Sequence, residues 1–145
     1  MTQPRTIDVL LDQYSDSHRN PTNELIHVVC VPVIVFTLLG ILWSIHPALA
    51  VAAALAALVY YFRLSPPFAF GMLLMSAVML AVLALMPPFT VLPLSIAIFV
   101  VAWIGQFIGH KIEGKKPSFF DDLRFLLIGP LFVLGFLYRR LHVAY

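Results

Sequence analysis

Three histidines carry the chemistry this chain can offer. His18 and His27 lie in HRNPTNELIHVVCVP (His18 to Pro32), and His110 lies in GQFIGHKIEGKKP (Gly105 to Pro117). Three imidazoles around an open coordination position make a donor set for Fe(II) or another first-row divalent ion, and zinc accepts the same donors. Each of the two stretches adds polar groups at helical spacing. Asn23 stands one turn before His27, Gln106 one turn before His110, and Glu113 three residues after His110. Asn20, Asn23, Gln106 and Glu113 are therefore candidates to orient the rings or to hold water behind them. A single histidine at a membrane boundary ordinarily faces water or caps a helix. Three on one side with amide neighbours favour a purpose, because polar groups at that depth are costly. Arg19, Lys115 and Lys116, at head-group level, are candidates to hold a lipid carboxylate, although paired lysines there also serve as plain anchors.

Those residues are far apart in the chain, so a scaffold must gather them. The 145 residues are 61% hydrophobic and 11% charged, with a mean hydropathy of +0.97. That is far from a soluble composition and indicates an integral membrane protein. Between Leu25 and His110 the only formally charged side chain is Arg63. The net charge of +2 comes from few residues, placed where membrane proteins place them, so nucleic acid is not an expected partner. A single cysteine, Cys30, excludes an internal disulfide and a Cys-based zinc site. The polar, acidic first twenty residues lack the apolar core of a cleaved signal peptide.

The expected fold is all-α, an integral membrane helical bundle in a single membrane domain over residues 1–145. Residues 1–24 form a cytoplasmic N-terminal segment. In it, IDVLLDQY puts Ile7, Leu10, Leu11 and Tyr14 on one face of an amphipathic helix and Asp8, Asp12 and Asp16 on another. The acidic face disfavours anionic lipid, so docking on protein is its expected use. Asn20-Pro21 reads as a helix start. Residues 25–110 form a core of four transmembrane helices, at Leu25 to Trp43, Pro47 to Phe62, Phe68 to Met86 and Val91 to Gly109. The second reaches spanning length only with slight extension. The tight, proline-rich connections IHP, RLSPP and MPPFT imply that consecutive helices are antiparallel neighbours. Gly105 and Gly109 form a small-xxx-small pair suited to close packing, which would bring His110 towards a neighbouring helix.

Residues 111–145 form a basic loop and a C-terminal re-entrant or interfacial helical hairpin. The segment Phe125 to Tyr138 is short for a span, and Gly129-Pro130 marks the expected turn. Lys and Arg cluster before the first span, after the second and after the fourth, and neither remaining turn carries charge. Both ends of the core therefore face the cytoplasm. That topology puts His18, His27, His110 and Glu113 at one membrane face. His46, in an opposite turn, and His142, in the tail, stand apart.

The pattern Y-x3-H-x-N-P-x-N-x3-H-x4-P (Tyr14, His18, Asn20, Pro21, Asn23, His27, Pro32), then W-I-x-Q-F-x-G-H (Trp103 to His110) and a downstream Glu, basic pair and Pro117, closely resembles the Mpo-like family. Its fungal members are endoplasmic-reticulum dioxygenases acting on 2-hydroxy fatty acids. The resemblance covers nearly the whole chain. It implies Fe(II)-dependent alpha-oxidation, in which a 2-hydroxy fatty acid and O2 give a fatty acid one carbon shorter without 2-oxoglutarate. Carried onto this chain it makes His18, His27 and His110 the catalytic metal ligands. The spacing H-x-x-E is one residue shorter than in the fungal members, which places Glu113 beside the ligands rather than among them. Brevity at both ends suits a bacterial inner-membrane protein with its site and N-terminus on the cytoplasmic side. Membrane lipid is an expected contact, and nothing in the chain names a protein partner. The rival reading is a non-enzymatic membrane scaffold or lipid-interacting protein. A two-iron desaturase needs clustered histidines, and there are only five. A transporter would need ionisable groups within the spans.

Overall fold

The computed structural model describes residues 4–145, and the regular elements among the described residues are all helical. A short helix, α1 (Thr6–Ser15), precedes four helices long and apolar enough to cross a membrane: α2 (Pro21–Ile45), α3 (Pro47–Leu64), α4 (Pro66–Leu85) and α5 (Pro88–Glu113). A single 3-10 turn, Ser118–Phe120, leads to α6 (Phe125–Leu141). Each long helix begins with proline in its first turn, where a missing N–H costs nothing. Asn20 caps α2 as its residue type requires, accepting from Thr22 N–H at 2.9 Å. His46 caps α3 through Nδ1, accepting from Ala48 N–H at 3.1 Å. Gly114, at φ 75°, ends α5 in the left-handed conformation that glycine adopts without strain.

Apolar residues face outward. Leu85, Phe89 and Val101 are 86%, 83% and 69% exposed, while Asn23, Thr37 and Gln106 are buried. That inversion is how a bundle in hydrocarbon arranges itself. The central helix is α2, which packs on α3, α4, α5 and α6. Its most extensive partner is α5. A Cβ added at Gly40 would run into Ser95, one at Gly105 would meet Cys30, and one at Gly109 would collide with Asn23. Glycine at these positions lets the two helices approach closely, as the small-residue spacing at Gly105 and Gly109 predicts.

Two expectations are corrected. Although α4 and α5 are joined by Met86-Pro87, they scarcely pack together; α5 lies on α2 instead, because the small residues that permit close contact are on that pair. The C-terminal segment is not a hairpin. Phe125–Leu141 runs as one helix through Gly129-Pro130. Pro130 can make no bond to the carbonyl one turn back, and Tyr61 Oη–H, from α3, donates to the neighbouring Leu127 carbonyl at 2.9 Å. Gly129 leaves room for the Tyr14 hydroxyl of α1. The dipeptide that reads as a turn is a packing site. Its two ends are tied to the bundle: Leu127 meets the end of α3, while Tyr138 Oη–H donates to Pro67 O at the start of α4 at 2.7 Å. Helix α6 thus lies across the end of the bundle that carries α1. There Ile7, Leu10 and Tyr14 are buried against Phe125, Ile128, Leu131 and Phe132. The amphipathic helix docks on protein.

Candidate metal centre

His27 is fixed by its own helix. Its Nδ1–H donates to the Asn23 carbonyl one turn back, at 3.0 Å. His18 repeats the device just past the end of α1, with Nδ1–H donating to Tyr14 O at 2.7 Å. A carbonyl can only accept, so in both rings the proton sits on Nδ1 and the Nε2 lone pair is free. The His18 ring also stacks on Tyr14, with centroids 4.2 Å apart and planes 8° from parallel. Phe132 of α6 closes in at 5.4 Å. His110 lies on the last turns of α5 beside Gly109, whose missing side chain admits Asn23 of α2.

The three rings meet edge to face, with centroids 4.1 Å (His18–His27), 5.1 Å (His18–His110) and 4.8 Å (His27–His110) apart. One nitrogen from each ring lies within 4.8 Å of the others. All three residues are buried, at 4%, 2% and 5% exposure. His18 Nε2 and His110 Nδ1 have no hydrogen-bond partner. Burial pushes the His18 imidazole down to about 4, so it is neutral at ordinary pH. Neutral, buried, convergent and unpartnered nitrogens fit a divalent transition-metal ion, which would take up lone pairs that are costly to leave unused.

Asn20 apart, the surrounding polar residues take roles that spacing alone did not give. Glu113 is a tether. Its carboxylate accepts from the backbone N–H groups of Arg19 and Asn20 at 3.0 and 2.8 Å and from Asn23 Nδ2–H at 3.1 Å. Asn23 Nδ2–H also donates to Ser17 O at 3.0 Å. The loop bearing His18 is thereby tied to the end of α5. Asn23 touches His27 through its carbonyl rather than its amide, and Asn20 acts as the helix cap. Gln106 is buried with its Oε1 unpartnered. The three cations face elsewhere: Arg19 pairs with Asp16, Lys115 Nζ donates to Asp16 O at 2.8 Å, and Lys116 pairs with Asp121 at 2.6 Å. Tyr14, Phe132, Trp103 and Ser118 were not singled out by sequence as site residues. Tyr14 had a signal, standing four residues before His18 as Asn23 does before His27. Trp103 stood out only as the first residue of its motif, and Ser118 had no signal.

Space opens on both sides of the centre. A cavity of about 260 Å³ is lined by His27, His110 and Gln106 at one end and by Ile34, Phe99 and Pro130 elsewhere. It shares Val35, Leu38, Leu126 and Pro130 with a second, almost wholly apolar cavity of about 340 Å³ between α2, α3, α4 and α6. A third cavity, of about 320 Å³, reaches His18 from the α1 side, with Asp8, Asp12, Glu24 and the oppositely charged Arg139 in its lining.

The fold and site together define a membrane-embedded helical bundle with a three-histidine centre, able to hold a metal ion, opening onto an apolar chamber. The chain belongs to the Mpo1-like family described as 2-hydroxy-palmitic acid dioxygenase, which it matches over residues 5–141. It is 32% identical over 129 residues to the 2-hydroxy-palmitic acid dioxygenase MPO1 of Saccharomyces cerevisiae, covering 83% of this chain and 73% of that protein. No solved structure matches the chain.

Proposed function

We propose that this protein is an Fe(II)-dependent membrane dioxygenase that converts 2-hydroxy fatty acids to fatty acids one carbon shorter. The observation that carries the reading is the convergence of His18, His27 and His110 at the polar end of an apolar cavity. Iron held by these imidazoles supplies redox capacity and open positions for oxygen chemistry, which zinc lacks. The chain's residues do the rest. The Tyr14 and Asn23 carbonyls fix two ring tautomers, and Glu113 keeps the loop carrying His18 against α5. The connected cavities offer the acyl chain a dry path away from the centre. In the overall reaction the bond between the carboxyl carbon and C2 breaks and C2 becomes the new carboxyl. One O2 balances release of the lost carbon as carbon dioxide together with one water. Lysines and arginines at the site's end of the bundle favour a cytoplasmic-facing centre.

The test is anaerobic Fe(II) reconstitution followed by oxygen uptake with 2-hydroxypalmitate against palmitate. Uptake with the hydroxy acid alone is the expected result. Equal or absent uptake with both would overturn the assignment. His110→Ala is expected to insert normally while losing bound iron and turnover, and full retention of both would remove His110 from the site. A scaffold would hold no stoichiometric metal after purification in detergent, which elemental analysis reads directly.

A further inference from the structure

Besides His110 Nδ1, the cavity beside the histidines is lined by three polar atoms with nothing to bond. Trp103 Nε1, Gln106 Oε1 and Ser118 Oγ are buried without a partner, and all three residues line that cavity. Gln106 and Ser118 are 6% and 5% exposed. Leaving one such group unpaired is costly, so three in one chamber mark a surface shaped for a polar ligand. Two elements bring them together. Trp103 and Gln106 lie one turn apart on α5, just before His110, and Ser118 opens the 3-10 turn after Pro117. Phe119, the next residue, meets the Trp103 ring edge to face at 5.3 Å and holds the indole. Among the described residues, no lysine or arginine lines the cavity.

We propose, building on the function above, that Trp103, Gln106 and Ser118 form a charge-free cradle for the 2-hydroxy carboxylate head group. An indole N–H can only donate, a hydroxyl can donate, and an amide oxygen can only accept. The head group is the complement: a carboxylate that accepts and one hydroxyl that donates. Trp103 Nε1–H and Ser118 Oγ–H bond the carboxylate, and Gln106 Oε1 takes the 2-hydroxyl proton. A plain fatty acid lacks that donor and leaves Gln106 unpaired, which is how a buried site discriminates. The cradle assigns head-group recognition to these residues rather than to Arg19, Lys115 and Lys116. Their bonds hold the protein's own loops.

The chain has two tryptophans, so Trp43→Phe leaves Trp103 as the sole reporter. Iron-loaded protein is titrated without oxygen with 2-hydroxypalmitate, palmitate and hexadecane-1,2-diol while indole emission is followed. The expected result is a saturable change with 2-hydroxypalmitate. Gln106→Leu should weaken its binding about tenfold or more, down to the level of palmitate, and leave palmitate binding unchanged. Ser118→Ala should weaken both acids but not the diol. Iron content should stay constant in both variants. Trp103→Phe, read by calorimetry, should weaken both acids without loss of fold. Wild-type affinities in the variants, or equal weakening of all three ligands, would overturn the cradle. Oxygen uptake by the wild type keeps the two ideas separate. Uptake with unaltered variant binding removes the cradle alone. Variant-sensitive binding without uptake removes the oxygenase and leaves a hydroxy-acid binding site.

Discussion

His27 and His110 are held by one kind of structure and His18 by another. The first two stand on α2 and α5, packed through glycines at positions 40, 105 and 109, so their separation follows from how closely two helices can approach. His18 stands on a loop outside the spans. It is held by Tyr14, by Phe132 and by the bonds that tie its neighbours to Glu113. The difference teaches that two thirds of the centre forms whenever the bundle forms, whereas the last third depends on a handful of polar contacts. Damage to the seam should therefore cost fold and site together. Damage to the tether should cost the site alone.

The largest effect is expected at the seam. Gly109→Val drives a branched side chain into Asn23 and should destabilise by about 1–3 kcal/mol or more, with loss of iron. Thermal unfolding in detergent together with metal analysis checks this; a stable, iron-replete Gly109→Val protein would refute the seam. Glu113→Ala comes next. It removes the acceptor for three bonds and should lower iron affinity about 10- to 100-fold. Competition with a chelator reads the affinity, and the unfolding midpoint should move little. An equal fall in both quantities would show that the tether is part of the bundle's stability. Tyr61→Phe is smaller still. It frees the Leu127 carbonyl near Pro130 and should cost about 1 kcal/mol without altering iron content. Lys115→Ala ranks last. Its bond to Asp16 O is exposed, so a loss under about 1 kcal/mol and iron affinity close to wild type are expected.

Much of this was legible beforehand, and the pattern of what was not is physical. Long apolar runs broken by prolines give spanning helices because hydrocarbon leaves the backbone no alternative, and Asn20-Pro21 marks the start of α2 through its capping chemistry. The meeting of His18, His27 and His110 follows from topology, since charge placement brings both motifs to one end. Helix α6 was misread because Gly129-Pro130 is ordinarily a turn. The residues that overrule it, Tyr61 and Tyr14, are remote in the chain and found only by packing. Arg19, Lys115 and Lys116 drew attention by charge, yet each has a nearer partner. Trp103 drew it only as the first residue of a motif, and Ser118 drew none. A tryptophan in an apolar helix and a serine after a proline are commonplace until burial shows that nothing satisfies them.

The chambers on either side of the imidazoles differ in kind, one charged and reached past α1, the others greasy and set among the spans. Under the proposed function, an ion dissolved in water and an acid dissolved in lipid would not queue at a shared doorway. Supply of the inorganic component and traffic of the organic one can be obstructed independently, each from its own phase.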